Sequence, residues 1–183
     1  INLPIIATSF GGWWRFFKLN LDRSADFGSI WFALNILGVN TPGLNDFYSL
    51  ITIAAFALLG YFLIKLDKTP KLSEIAFFVV VIFTTTSKVY SPQYVLWLTP
   101  LVLLAIRDKR DLSWFWLFTF AEIAYHLAIW QYLALFTGAH FGLPAGGYVI
   151  AIALRVVGIS CFTYVLMRDL AGTSTGKLSA ISR

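Results

Sequence analysis

The sequence has few charged residues and a single cysteine. Only 13% of its 183 residues are charged, whereas soluble domains have roughly a quarter. Because 58% of the residues are hydrophobic and the mean hydropathy is +0.76, the composition excludes an ordinary soluble domain and indicates an integral membrane protein. One cysteine excludes an internal disulfide and a CxxC metal motif, and Cys161 lies in an apolar run, where we expect it to pack as a small side chain.

Motifs of several protein classes are also absent from the sequence. It contains no HExxH zinc motif, no P-loop, no Gly-rich dinucleotide turn and no evident internal repeat. The chain starts with Ile-Asn-Leu-Pro and shows no secretory signal peptide, so we expect it to be the carboxy-terminal part of a longer protein. Its net charge of +5 does not indicate a nucleic-acid partner, because the basic residues flank the apolar runs.

The apolar residues fall into long runs and short runs. The long runs can cross a membrane as helices, and they are residues 45–64, 112–136 and 148–167. Asn45 or Asp46 can cap the first of these helices. The short runs are residues 72–86 and 94–106. They predict helices of about 20 Å, whereas the hydrocarbon core of a membrane is about 30 Å thick.

The runs and the charged loops between them predict a fold class and an orientation. We predict an all-α, polytopic helical membrane bundle in which residues 1–168 form the transmembrane domain and residues 169–183 a polar tail. Most of the 14 basic residues fall on one side of this alternation, which the positive-inside rule makes cytoplasmic. The tail is then cytoplasmic, while the aromatic segment 13–29, the turn around Lys88 and the loop around His140 face outside.

A polar turn separates the two short runs and forms the first candidate site. Non-helical backbone below the membrane surface must pack in protein or line a wet cavity, and a charge there is by default a functional hypothesis. Lys88 can bind a phosphate as a point charge, and Ser91, Gln93 and Tyr94 supply hydrogen-bonding groups. A lipid-linked phosphate suits this pocket. Alternatively, the Lys88 side chain extends to the surface and Tyr94 belongs to an aromatic belt.

An outer loop before the first long run carries the second group of candidates. Asp22, Arg23 and Asp26 can hold sugar hydroxyls or supply a catalytic base. The alternative is a solvated loop in which Asp26 or Ser29 caps the helix that follows.

Charged and titratable residues inside two long runs form the third group. Glu122 and His126 are one helical turn apart and share a face, and Arg155 lies in the last run. One interpretation is a buried Glu122–Arg155 pair with His126 nearby and no chemistry. The other is that His126 borders a substrate cavity.

Two segments resemble a known family of membrane enzymes. Residues 87–100, Ser-Lys-Val-Tyr-Ser-Pro-Gln-Tyr-Val-Leu-Trp-Leu-Thr-Pro, resemble the N-K-V-x-T-S-Q-Y-F-x-W-Y pattern of glycosylphosphatidylinositol mannosyltransferase I. They are also similar to the Ser-Pro motif of bacterial glycosyltransferase family 87, the DUF2029 polyprenol-phosphate-mannose-dependent mannosyltransferases. Residues 17–29 resemble the F-N-x-x-R-x-x-D-x-G-S segment of actinobacterial members.

The resemblance implies a GT-C fold with an active site outside the cell membrane. Such enzymes move a sugar, here expected to be mannose, from a polyprenyl-phosphate donor to a lipid or glycan acceptor in the cell envelope, usually with inversion. The resemblance implies no metal and no cofactor beyond the donor, and membrane lipid as surroundings. By position, the resemblance implies that Lys88, Gln93 and Tyr94 lie near the donor phosphate or sugar. We add Ser91 and His126 as candidates for donor binding, and Arg23, Glu122 and Arg155 as supporting charges.

The sequence departs from this family at two points. The family's catalytic carboxylate lies in the first external loop, and no residue here clearly matches it, so Asp22 and Asp26 are weak candidates for the base. We therefore expect this chain to be inactive without an amino-terminal half or a partner subunit. Some bacterial members also carry a histidine pair where this chain has Trp97 and Leu98.

Two other functions remain open from the sequence. Broken helices with polar turns also form the binding sites of secondary transporters, so a transporter or flippase subunit for a lipid-linked or anionic substrate is the main alternative. A structural membrane subunit without a ligand is the third hypothesis.

Overall fold

The computed structural model describes residues 2–175, with side chains described as far as residue 172. Its helices are α1 Leu3–Thr8, α2 Phe10–Asp22, α3 Ile30–Ile36, α4 Leu44–Ile64, α5 Leu72–Thr86, α6 Val95–Ala105, α7 Asp111–Phe136 and α8 Ala145–Thr175, with a 3₁₀ turn Pro92–Tyr94 before α6. The prediction of an all-α fold is confirmed for this part of the chain.

The division into long and short helices also agrees with the sequence prediction. Among the described residues, the long helices α4, α7 and α8 are long and apolar enough to cross a membrane, while α5 and α6 are too short to do so alone. Helix α8 continues through the predicted boundary at residue 168. Residues 176–183 of the predicted tail lie outside the described residues, so the cytoplasmic tail and the orientation stay predictions.

Helices α4 to α8 share one apolar core. Helix α7 packs along α8, and the pair α5–α6 packs on both of them. The buried side chains of this core include Phe77 and Phe78 from α5, Val102 from α6, Phe118 from α7 and Phe162 from α8. Most large apolar side chains on the outer faces stay exposed, as lipid-facing surfaces require.

A second buried cluster, rich in tyrosine, holds the loop between α2 and α3. The rings of Tyr132 and Tyr148 stack with centroids 4.4 Å apart, and the Tyr148 hydroxyl donates to the Phe27 carbonyl over 2.9 Å. A Cβ at Gly28 would lie 2.2 Å from the Tyr125 hydroxyl oxygen, so only glycine fits there. Ser29 caps α3, because its hydroxyl accepts from the Phe32 amide, which confirms one of the two predicted caps.

Helix α2 lies at the edge of the bundle and contributes no buried residue. It carries a group of neighbouring aromatic rings, of which Trp14, Phe16 and Phe17 are exposed. These rings stand beside the charges of Arg15 and Lys18, which is typical of a helix lying in a membrane interface.

Candidate functional site

The Lys88 side chain is buried beneath the end of α2. Only 3% of the residue is exposed, so the alternative in which it extends to the surface is wrong. Its ammonium donates to the Arg23 carbonyl over 2.7 Å, to the Leu21 carbonyl over 3.3 Å and to the Asn45 side-chain oxygen. These acceptors use all three of its N–H groups. Lys88 therefore fastens α2 and α4 to the turn, and it has no free donor to offer a ligand.

Asn45 completes this arrangement instead of capping α4. Gly43 occupies the N-cap position of α4 with a φ of +68°, and no side chain caps that helix. The Asn45 amide nitrogen donates to the Leu21 carbonyl over 2.7 Å, while its oxygen accepts from Lys88. The predicted Asn45 or Asp46 cap is thus wrong, because the buried ammonium engages the amide.

The turn is also tied to the neighbouring loop and helices by its backbone. The Lys88 carbonyl accepts from the Asp26 amide over 2.8 Å, and the Thr86 carbonyl accepts from the Trp31 indole over 2.8 Å. The hydroxyls of Thr52 and Thr86 share a hydrogen bond of 2.7 Å. The non-helical backbone between α5 and α6 is therefore packed in protein, as its predicted depth requires.

A cavity of ≈ 530 Å³, the aromatic pocket, opens between α2, α4 and the turn. Its lining combines aromatic rings with polar and cationic side chains: Trp14, Phe16, Phe17, Asn20, Leu21, Arg23, Tyr48, Thr52, Phe83, Ser87, Lys88, Val89 and Tyr94. The Tyr94 ring stacks on Trp97 with centroids 4.5 Å apart. Two predicted residues of the turn, Lys88 and Tyr94, thus line one cavity together with Arg23.

A second cavity of ≈ 700 Å³, the polar pocket, shares part of its lining with the aromatic pocket. It is lined by Leu21, Asp22, Arg23, Ser24, Ala25, Asn35, Asn40, Thr41, Pro42, Leu44 and Asn45. Leu21 and Arg23 line both cavities, and they also give Lys88 two of its three acceptors. The two pockets therefore share a wall at Leu21 and Arg23, and Lys88, which donates to both carbonyls, lines the aromatic pocket.

The shared wall combines two cations, Lys88 and Arg23, with the carboxylates of Asp22 and Asp26. Lys88 forms no ion pair with another described residue, because its acceptors are neutral oxygens. Arg23 is half-exposed and pairs with Asp26 over 3.1 Å. Asp22 also attracts the Lys88 charge, so the four charges largely offset one another, and the half-exposed Arg23 guanidinium is the cation that a ligand can reach.

The two outer carboxylates have different surroundings. Asp26 is engaged, since one oxygen pairs with Arg23 and the other accepts from the Phe27 amide over 3.0 Å. Asp22 is exposed at the polar pocket and forms no hydrogen bond with another described side chain. Of the two candidates for the base, Asp22 alone is free to accept a proton from a ligand.

Three predicted site residues do not reach either pocket. Gln93 is exposed outside both cavities, and Ser91 contributes its backbone carbonyl, which accepts from the Tyr94 amide over 2.9 Å. The ring nitrogens of His126 lie 2.8 Å from the Glu122 carbonyl and 3.0 Å from the Pro92 carbonyl. His126 instead lines a separate, mostly apolar cavity of ≈ 340 Å³ between α6 and α7. Its ring ties α7 to the turn.

Glu122 and Arg155 are buried, but they do not pair directly. The Arg155 guanidinium carbon lies 3.4 Å from the centre of the Tyr90 ring, and the Tyr90 hydroxyl donates to Glu122 over 3.2 Å. Arg155 also donates to the Gly28 carbonyl over 3.0 Å. The predicted Glu122–Arg155 pair is therefore replaced by a chain through Tyr90, which the sequence reasoning missed because a tyrosine in a polar turn gives no signal of such a role.

The described residues offer no cluster of three His, Cys, Asp or Glu side chains that could hold a metal ion. Comparison with known proteins gives no match: no family model, no curated protein and no solved structure is similar to this chain. The likeness to the GT-C mannosyltransferases therefore rests on residues 17–29 and 87–100 alone.

Proposed function

We propose that this protein is a membrane glycosyltransferase of the GT-C type that moves a sugar, with mannose as the first candidate, from a polyprenyl phosphate to an acceptor. The observation that carries the proposal is the pair of pockets that share the wall of Leu21 and Arg23, where the Lys88 ammonium donates to the Arg23 carbonyl. A transfer between two substrates needs two binding spaces that meet where charge develops.

The aromatic pocket suits the donor. Its rings on α2 lie on an interfacial helix, where they can contact the first isoprene units of a lipid that stays in the membrane. Arg23 is half-exposed and can donate to the phosphate, while Lys88 contributes its charge through the wall, since its hydrogens are engaged. In the transfer, the leaving phosphate gains negative charge, which these two cations stabilise.

Asp22 suits the role of the general base. An acceptor hydroxyl in the polar pocket would give its proton to Asp22 while its oxygen forms a bond to the anomeric carbon. The bond between that carbon and the phosphate oxygen breaks, and the phosphate leaves with the electron pair. Attack from the face opposite the phosphate inverts the anomeric centre. The same chemistry needs no metal ion, because the two cations stabilise the leaving group.

The test is sugar transfer from radiolabelled polyprenyl-phosphate mannose in membranes that contain the full-length protein. We expect Arg23→Gln and Asp22→Asn each to lower transfer about 100-fold at unchanged expression. Lys68→Gln, which removes an exposed cation from the loop between α4 and α5, is the matched control and keeps full transfer. Full transfer by Arg23→Gln would contradict the proposed donor site. If the wild-type protein transfers neither mannose nor any other sugar from a polyprenyl phosphate, the glycosyltransferase proposal is wrong.

The break between α5 and α6 also favours a second candidate, a transporter or flippase of a lipid-linked anion. The discriminating measurement uses proteoliposomes with a labelled polyprenyl phosphate sugar in one leaflet. Movement of the intact label to the other leaflet, without transfer to any acceptor, supports the transporter. Transfer without such movement supports the glycosyltransferase.

A further inference from the structure

The polar pocket differs in chemistry from the aromatic pocket beside it. Among its described lining residues none is aromatic, and hydrogen-bonding side chains come from separate parts of the chain. Asp22 and Ser24 lie at the end of α2, and Asn35 lies on α3. Asn40 and Thr41 lie in the loop that precedes α4. The fold thus brings amide, hydroxyl and carboxylate groups to one open cavity of ≈ 700 Å³.

Much of the hydrogen-bonding capacity in this pocket is unused within the protein. Thr41 donates to the Asn35 side-chain oxygen over 3.5 Å, which leaves the Asn35 amide nitrogen for another partner. The side chains of Asp22, Ser24 and Asn40 form no hydrogen bond with another described residue. These groups can therefore bind a ligand without breaking a bond that the fold needs.

The charges at the pocket nearly cancel. Arg23 and Asp22 line it with opposite charges, and Arg23 also pairs with Asp26. The lining therefore favours a neutral ligand. Amide groups donate and accept at once, and a carboxylate accepts, which is the combination that neighbouring hydroxyl groups of a sugar satisfy.

We propose that the polar pocket binds a neutral, hydroxyl-rich sugar, and that this sugar is the acceptor of the transfer. The acceptor role rests on the proposed function, whereas the binding of a neutral sugar rests on the pocket alone. Asn35 and Asn40 line the same cavity as Asp22 and the shared wall. A hydroxyl group at that wall is where the base and the donor can both reach it.

The first experiment measures binding without any transfer. Saturation-transfer NMR on the full-length protein in detergent uses methyl α-mannoside as the neutral probe and glucose 6-phosphate as the anionic one. We expect the mannoside to receive saturation, and the double variant Asn35→Ala/Asn40→Ala to weaken its binding about tenfold. Gln131→Ala removes an exposed amide outside the pocket and is the matched control, with unchanged binding.

Two results overturn the sugar site. One is equal mannoside binding by the wild type and the double variant, and the other is stronger binding of glucose 6-phosphate than of the mannoside at this pocket. A folding check by circular dichroism on each variant separates lost binding from lost structure, and the single variants replace the double variant where it fails to fold.

The second experiment separates this inference from the proposed function. In the transfer assay, the double variant is expected to raise the KM for the acceptor about tenfold and to leave the KM for the donor unchanged. Transfer with an unchanged acceptor KM overturns the acceptor site and leaves the glycosyltransferase intact. Mannoside binding that the double variant abolishes, in a protein without transfer, overturns the proposed function and the acceptor role together, and leaves the sugar site.

Discussion

The two ends of helix α5 each carry a buried charged side chain, and the two side chains have different kinds of partner. Glu74 lies in the first turn and is fully buried, and Lys88 follows the last turn and is 3% exposed. Each sign suits its end of the helix dipole. The difference lies in their partners.

Glu74 is neutralised by a counterion. Its carboxylate accepts from the Arg107 guanidinium over 2.7 Å and from the Lys71 amide over 2.8 Å, so it holds α5 to the loop after α6. Lys88 has three neutral acceptors and forms no ion pair with a described residue, although the Asp22 carboxylate attracts its charge from nearby. A buried charge with a bonded counterion serves structure, whereas one that only neutral groups hold beside a cavity can act on a ligand. Glu74 therefore stabilises its end of α5, whereas at the other end we predict that Lys88 both fastens the turn and acts on a ligand.

The largest expected loss of stability comes from removing the ion pair between Glu74 and Arg107. Arg107→Ala leaves the Glu74 carboxylate buried without its counterion, and we expect it to lower the free energy of unfolding by about 3–5 kcal/mol. Denaturant titration in mixed micelles, followed by circular dichroism, measures it. Arg110→Ala removes an exposed guanidinium from the same loop and should leave unfolding unchanged. Equal effects of the two variants would show that the buried pair does not stabilise the fold.

The next largest effect tests how tightly the tyrosine cluster near Lys88 is packed. Gly28→Ala places a methyl group against the Tyr125 hydroxyl and the Tyr90 carbonyl, so we expect a loss of about 1–3 kcal/mol in unfolding free energy. Gly60→Ala in α4 is the control, because no atom lies within 4 Å of its new Cβ and alanine favours a helix by about 0.5–1 kcal/mol. Opposite signs are expected in the same titration. An unchanged unfolding free energy in Gly28→Ala would mean that the tyrosine side chains move aside at little cost.

The sequence predicted most of the helices, because runs of apolar residues and the signals that end them are local. The bounds of α5 were predicted correctly, as were the break around Lys88 and the Ser29 cap. Tyr94 and Lys88 both line the aromatic pocket, and their role in binding a donor stays a prediction.

The partners of Lys88 could not be predicted. They lie 43 to 67 residues away along the chain, and two of them are backbone carbonyls, which every residue has. A sequence also does not tell which side of a 3₁₀ turn a residue occupies. The prediction that Gln93 lines the pocket was therefore wrong, because this residue is exposed outside it. The sequence therefore identifies the unusual residue, Lys88, but not the acceptors that surround its ammonium group.

The smallest expected effect on stability comes from removing the buried charge of Lys88. Lys88→Met keeps the length of the side chain and removes its charge. It loses the hydrogen bonds to the Leu21 and Arg23 carbonyls and to the Asn45 side-chain oxygen, but it also removes the penalty of a buried charge. We therefore expect a change of about 1 kcal/mol in unfolding free energy, well below that of Arg107→Ala.

The same variant is expected to lower sugar transfer about 100-fold, because the wall loses a charge that faces the leaving phosphate. The denaturant titration and the transfer assay are run on one preparation, so that stability and activity are compared in the same molecules. A loss of stability equal to that of Arg107→Ala would make Lys88 as structural as Glu74, and the division between the two ends of α5 would fail. A stable variant with full transfer would remove the lysine from the site altogether, and Arg23 alone would then have to carry the phosphate.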